Sequence, residues 1–197
     1  CLIAAFSGIY MIYGVQDFSH IFEAVQFEGS LLCNDSWIGW LIIFGAILKS
    51  AQFPFHTWLP DTMGAPTPVS ALMHAGIING GGYLVVRLSP VLMHTLGALH
   101  MLAIVGAVTA VYASMVMLSQ TSVKRALAYS TIAQMGFMLL QCGLGAFHLA
   151  VLHLVAHSLY KGHAFLSCGS AVETAKKLNA KPHYAQLKPS RIWLAIG

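Results

Sequence analysis

The strongest constraint on this chain is the length of its apolar runs. Five of them, Trp37–Phe55, Pro68–Leu92, Leu96–Leu118, Ala126–Leu144 and Phe147–Val172, are each roughly 18 to 26 residues long, enough for a helix to cross a hydrocarbon core of about 30 Å. A segment in lipid must satisfy its backbone polar groups internally, so runs of this kind fold as helices. Composition points the same way. Hydrophobic residues make up 57% of the chain, charged residues 8%, and the mean hydropathy is +0.73, whereas soluble domains carry about 25% charged residues. The expected fold class is all-α: a polytopic, multi-pass transmembrane helix bundle embedded in membrane lipid, with residues 1–197 forming one membrane domain. Cys1–Tyr13 reads as the tail of a further span and Arg191–Gly197 as the start of another, so the sequence reads as a piece of a longer chain.

The formal charge of +4 implies no nucleic-acid partner, because the basic residues fall in loops between spans. Cys1, Cys33, Cys142 and Cys168 have no CxxC spacing, and their apolar surroundings suit free thiols better than a disulfide or metal site. The Gly14–Ser36 connection holds Asp17, Glu23, Glu28 and Asp35. Within it Phe18, Ile21, Phe22 and Val25 recur at i, i+3, i+4 and i+7, the pattern of a short interfacial helix. Alternating the spans puts the loops near 57–67, 119–125 and 173–191 on one side, with Lys124, Arg125, Lys176, Lys177, Lys181, Lys188 and Arg191. Arg87 alone lies towards the other side, so the positive-inside rule makes the first side cytoplasmic.

The first long run ends in "KSAQFPFHTWLPD". Pro54 lacks a backbone donor and clashes with the preceding turn, so a helix break is expected just past Lys49. Broken backbone in a membrane is tolerated where protein or water satisfies it, and such breaks often border ion paths. In the next run, "PTPVSALMHAGIINGGGYLVVR", Pro66 and Pro68 suit a helix N-terminus. Gly76, Gly80, Gly81 and Gly82 read as a surface on which a neighbouring helix packs closely.

His153, His157 and Lys161 are spaced i, i+4, i+8, which puts them on one helix face about 6 Å apart along the axis. A lysine at the centre of a span costs about 2.5–3.5 kcal/mol on insertion scales, so an intramembrane lysine is a functional hypothesis by default. Amines removed from water exchange protons more readily near neutral pH, and histidine does so unperturbed. Lys49, His74 and His148 are further candidates. Haem ligation would need a second histidine at matched depth on another helix, and "HLVAH" lacks the glutamate of HExxH. No Asp or Glu lies well inside any span, which favours proton exchange between bases over a cation held by oxygen ligands.

Taken together, "KSAQFPFHTWLPDTMGAPTPVSALMHAG", "TSVKRALAYSTIAQMGFM" and "HLVAHSLYKGHAFLSCGS" resemble the antiporter-like membrane subunits of respiratory complex I, in particular the large L (ND5) type, and the related Mrp antiporters. The resemblance runs from about Lys49 to Ser170. It implies an inverted-repeat antiporter-like fold of which this chain is a fragment. It also implies a proton relay through Lys49 on a broken helix, His74, His153, His157 and Lys161, with Lys124 at the cytoplasmic end of the next helix. A glutamate that pairs with the first lysine in that family would fall before residue 1, and a last channel lysine beyond residue 197.

Two stretches depart from complex I subunits. "AGIINGGG" follows His74, and "HSLYKGHAFLS" surrounds Lys161; both resemble the antiporter-like subunit of the two-component, DAB-type bacterial inorganic-carbon transporter. That branch implies a bacterial cytoplasmic (inner) membrane protein that couples the proton gradient to CO2 or bicarbonate uptake. Its partner would be a soluble, zinc-binding, carbonic-anhydrase-like subunit, with no cofactor in this chain. The alternative is a proton-pumping subunit beside other complex I membrane subunits, or an Mrp-type cation/proton antiporter; a translocase activity would follow only from the complex I reading. A purely structural scaffold would have no use for a row of intramembrane bases.

Overall fold

The structure, a computed structural model, describes residues 1–13 and 36–180, with side chains for 1–11 and 37–169. Among the described residues every regular element is helical. In chain order they are α1 (Leu2–Tyr13), α2 (Ser36–Lys49), α3 (Trp58–Asp61), α4 (Thr67–Ala75), α5 (Gly80–Arg87), α6 (Ser89–Met93), α7 (Leu96–Leu118), α8 (Val123–Gly143) and α9 (Phe147–Ala180). Single 3-10 turns cover Thr62–Gly64 and Ile77–Asn79. The amphipathic stretch Phe18–Val25 and the expected span start at Arg191 lie outside the described residues.

The surface of α7 is what lipid requires. Met101, Ile104, Val108, Val111, Met115 and Leu118 are exposed and recur every three or four residues, forming an apolar stripe along one face. The opposite face carries Ala98, Leu102, Gly106, Thr109 and Ala113, all buried. Lipid tails are as apolar as leucine, so helix association in a membrane depends on close packing and polar bonds. The glycines supply that closeness. A Cβ built on Gly106 would stand 2.6 Å from the Leu140 nitrogen, and one on Gly136 would stand 2.7 Å from the Ala110 nitrogen. The backbones of α7 and α8 therefore touch directly, and this pair makes the most extensive helix contact in the chain. Helix α9 packs on α8, α4 and α5, while α2 packs on α5, α1 and α7.

Thr67–Arg87 and Leu96–Leu118 are, among the described residues, the stretches long and apolar enough to cross a membrane by length and hydropathy, with means of 1.4 and 2.1. Leu2–Met11 and Trp37–Lys49 are shorter apolar helices. Polar side chains, among them Gln134 and Gln141 on α8 and the histidines and Lys161 on α9, lower the mean hydropathy of α8 and α9.

Helix α2 stops at Lys49, where the sequence places the break, because Ala51 adopts φ 48°, the left-handed region that ends a right-handed helix. Pro54 sits inside the turn from Ser50 to Thr57 and not at its start. The run Pro68–Leu92 is not one helix but α4, a 3-10 turn, α5 and α6. Its interruption has a local cause. The Asn79 backbone N–H bonds the Gly76 carbonyl, three residues back, while the Asn79 side-chain amide takes the Ala75 carbonyl at 2.7 Å. The side chain thus replaces the helical bond its own backbone would have made. Finally, α9 does not end at Val172 but continues to Ala180, taking in the first part of the expected 173–191 loop.

Candidate functional site

The two breaks in the bundle meet each other. Ser50 Oγ, the first residue past α2, donates to the Ile78 carbonyl in the 3-10 turn at 3.2 Å. Phe53 N–H donates to Thr109 Oγ1 on α7 at 3.1 Å, and Gln52 Nε2 donates to the Ser50 carbonyl at 2.8 Å. Side chains thus satisfy backbone groups that helix geometry has released, as irregular backbone at membrane depth demands. The glycine run closes the arrangement: a Cβ on Gly81 would collide with Ser50, and one on Gly80 would stand 3.5 Å from Lys49 Cε.

From the second break a polar contact reaches α9. Asn79 Nδ2 donates to Ser158 Oγ at 2.7 Å, and Ser158 Oγ donates to the Leu154 carbonyl at 2.8 Å. Ser158 adjoins His157 and lies one turn before Lys161.

Lys161 is wholly buried. Its Nζ donates to Ser130 Oγ at 2.7 Å and to the Leu127 carbonyl at 3.4 Å, both on α8. These partners are neutral. Asp61, the one acid among the residues whose side chains are described, is exposed at the end of α3. A charge buried away from water is stabilised by a counter-charge or gives up its proton; beside this amine stand a hydroxyl oxygen, a carbonyl oxygen and, 5.6 Å away, the Tyr160 ring. His74, at the end of α4, is also wholly buried and stacks on Phe165 with ring centroids 4.5 Å apart. His157 is 5% exposed, and among the described residues neither ring nitrogen of His74 or His157 has a hydrogen-bond partner. The His153 ring is half-buried, 6.2 Å from that of His157 and 5.7 Å from that of Phe137.

The structure therefore gathers His74, His153, His157 and Lys161 where α4, α8 and α9 meet. Lys49 stands at the helix break, against Gly80, with its side chain exposed on the described chain rather than buried. Lys124 occupies the first turn of α8, half-exposed and about 9 Å along the axis from Ser130. His148 is exposed at the start of α9 and takes no part in the cluster. Depth is informative as well. Lys161 meets α8 at Ser130, roughly 10 Å along the axis from Val123 and roughly 20 Å from Gly143, so it sits off-centre rather than halfway along that helix.

Ser130, Asn79, Ser158 and Phe165 were not evident as site residues from the sequence. Ser130 lies within the "VKRALAYS" stretch, but a serine inside an apolar helix ordinarily bonds its own preceding turn. Among the described residues no group of three or more His, Cys, Asp or Glu is placed to hold a metal ion.

A helical membrane bundle with two mutually bonded helix breaks and a cluster of buried bases is the architecture of an antiporter-like membrane subunit. The chain belongs to the NADH:quinone oxidoreductase/Mrp antiporter transmembrane family, whose pattern matches residues 1–195. It is 48% identical over 186 residues to the probable inorganic carbon transporter subunit DabB1 of Halothiobacillus neapolitanus, a match covering 92% of this chain and 33% of that protein. It is 38% identical over 173 residues to NADH-ubiquinone oxidoreductase chain 5 of Dictyostelium citrinum, covering 83% and 26% of the two chains. Its fold is similar to a chain of the Mrp complex from a Dietzia species, with a TM-score of 0.77 and 35% identity over 86% of this chain and 19% of that one. The chain thus spans about a third of the length of the carbon-transporter relative.

Proposed function

We propose that this segment carries protons through a membrane subunit that couples the proton gradient to inorganic-carbon uptake. The observation that carries the reading is Lys161: a wholly buried amine that, among the described residues, bonds neutral oxygens alone, beside His74 and His157, whose ring nitrogens are unpartnered there. A guanidinium would stay charged there, and an apolar residue would avoid the insertion penalty. The bases that exchange the proton are His74, His153, His157 and Lys161, with Lys49 at the helix break and Lys124 towards the cytoplasmic end. The likeness to DabB1 favours inorganic carbon as the transported species.

In this reading the protein lies in a bacterial cytoplasmic membrane, with the α7–α8 turn on the cytoplasmic side. Its partner is a soluble, zinc-containing, carbonic-anhydrase-like subunit in which metal-bound hydroxide makes bicarbonate. Hydration alone cannot concentrate its product beyond equilibrium. A proton moving down about 100 mV releases roughly 2.3 kcal/mol, which supplies the missing drive. The experiment is complementation. The full-length protein and its genomic neighbour, expressed in a bacterium lacking carbonic anhydrase, restore growth in ordinary air, and an uncoupler abolishes the rescue. A second reading, membership of a complex I or Mrp assembly, draws on the likeness to chain 5 and to the Mrp complex. No rescue, with co-purification of subunits bearing flavin and iron–sulfur clusters, would favour it.

A further inference from the structure

Helix α9 runs antiparallel along α4 and the turn that follows it, and four contacts set the match. A Cβ on Gly169 would stand 2.6 Å from Thr67 Oγ1, and one on Gly162 would stand 3.8 Å from the Ala75 Cβ. Between them Phe165 stacks on His74, and beyond them Ser158 Oγ bonds Asn79 Nδ2. Residues 158, 162, 165 and 169 recur at i, i+4, i+7 and i+11, one face of the helix. Glycine, methyl and ring contacts are non-directional, and a small slide along the axis leaves them in place. The Asn79–Ser158 bond is directional. Asn79 Nδ2 carries two protons and donates to two acceptors, the Ala75 carbonyl and Ser158 Oγ, each at 2.7 Å. The Ser158 proton goes to the Leu154 carbonyl, which leaves the hydroxyl oxygen as the acceptor for Asn79. The arrangement has a cost. Asn79 is 5% exposed, and among the described residues its Oδ1 has no partner, a loss that an apolar residue would avoid. A single buried asparagine retained at such a cost is a known way to fix register between packed helices.

We propose that Asn79 is a positioning residue for proton transfer: its bond to Ser158 fixes the register of α9 on α4, and with it the placement of His157 and Lys161 against His74. The proposal rests on the proton-carrying reading above and adds what holds the bases in line. His74 adjoins Ala75, the first acceptor of the Asn79 amide, and His157 adjoins Ser158, the second. One side chain therefore ties together the backbone beside two buried histidines that lie on different helices. Lys161, three residues past Ser158, belongs to the same part of α9 and reaches across to Ser130 on α8. Neither an amide nor a serine hydroxyl titrates near neutral pH, so the tie keeps its form while the bases around it change charge. Its accuracy matters, because a misplacement of about 1 Å between reacting groups can cost on the order of a hundredfold in rate. Asn79 lies in "AGIINGGG", one of the two stretches by which this chain departs from complex I subunits.

The test is proton flux in liposomes holding the full-length protein and its partner, read with a pH-sensitive dye at equal amounts of folded protein. Ser158→Ala removes the cross-helix bond and leaves the Asn79 amide on the Ala75 carbonyl. The expected result is flux reduced roughly tenfold, with normal insertion, as misplaced reacting groups require. Ser158→Thr keeps the hydroxyl and is expected to restore most of the flux, which a role in packing alone would not predict. Asn79→Leu is expected to lose flux as well. Because both residues act through one bond, the double variant is expected to be no slower than the slower single one. Wild-type flux in Ser158→Ala would overturn the proposal. Equal losses in Ser158→Ala and Ser158→Thr would overturn it too, and so would a double variant whose loss is the product of the single ones. If Asn79→Leu does not insert, the two Ser158 variants decide. Lys161→Ala is measured beside them. Wild-type flux there counts against the proposed function, whereas flux lost in Lys161→Ala and kept in Ser158→Ala refutes the positioning role alone.

Discussion

Lys161 on α9 and Ser130 on α8 are joined by a 2.7 Å hydrogen bond, with the ammonium as donor and the hydroxyl oxygen as acceptor. This bond sets both the depth and the direction of the amine. The Leu127 carbonyl, at 3.4 Å, is the longer and weaker of its two hydrogen bonds among the described residues. Hydrogen bonds to charged groups contribute about 1.5–3 kcal/mol, so the serine hydroxyl holds the protonated lysine in place where no carboxylate among the described residues does.

Ser130→Ala is therefore expected to leave the protein folded and inserted but to slow proton transport roughly tenfold, the equivalent of about 1.4 kcal/mol at the low end of that range. Ser130→Thr keeps the hydroxyl and should restore most of the rate. Equal transport rates in wild type and Ser130→Ala would show that the bond has no part in carrying the proton.

His74 stacks on Phe165 at 4.5 Å, which raises the question of whether it packs or exchanges protons. His74→Phe separates the two roles, since the ring is kept and both nitrogens are lost. Normal membrane levels and thermal stability, with transport reduced to background, are the expected result. Full transport in His74→Phe would reduce this histidine to a packing residue.

The contact of α7 with α8 yields a stability prediction. Gly106→Ala places a methyl group 2.6 Å from the Leu140 nitrogen, so the helices must separate. Overpacking of this kind costs about 1–3 kcal/mol, and the purified variant should unfold at a lower temperature than wild type. The same change at Gly145, where no atom lies within 4 Å, meets no neighbour but is strained by φ +78°. A melting temperature for Gly106→Ala equal to that of wild type would contradict the close approach.

Orientation is open to a direct check. Single cysteines at Lys124 and Lys177 should react with impermeant reagents only from the cytoplasmic side, and one at Glu28 only from the outside. Reversed labelling at any of them would mean that a span has been miscounted.

The all-helical membrane fold is legible because apolar runs of spanning length leave the backbone no other way to bond itself. The shared face of His153, His157 and Lys161 follows equally directly from spacing along one helix. What spacing cannot supply is the partner across the interface. Nothing in α9 specifies that Lys161 meets Ser130, since that depends on how closely α8 approaches, and glycines on α7 help to set α8. The interruption of Pro68–Leu92 is hidden for a related reason. Hydropathy averages over Gly76 and Asn79, whereas the break depends on one asparagine amide reaching the Ala75 carbonyl. The exposure of Lys49 is likewise a tertiary result, fixed by where α2 stops and by the Gly80 surface beside it.

The central claim is that a proton passes through the Lys161 amine, and proton flux measures it most directly. The full-length protein with its partner, reconstituted in liposomes containing a pH-sensitive dye, is given a proton gradient and a membrane potential. Wild type should acidify the lumen, while Lys161→Ala should match empty liposomes at equal protein content. Lys161→Arg should fail as well, because a guanidinium keeps its proton. Wild-type flux in either variant would contradict the account.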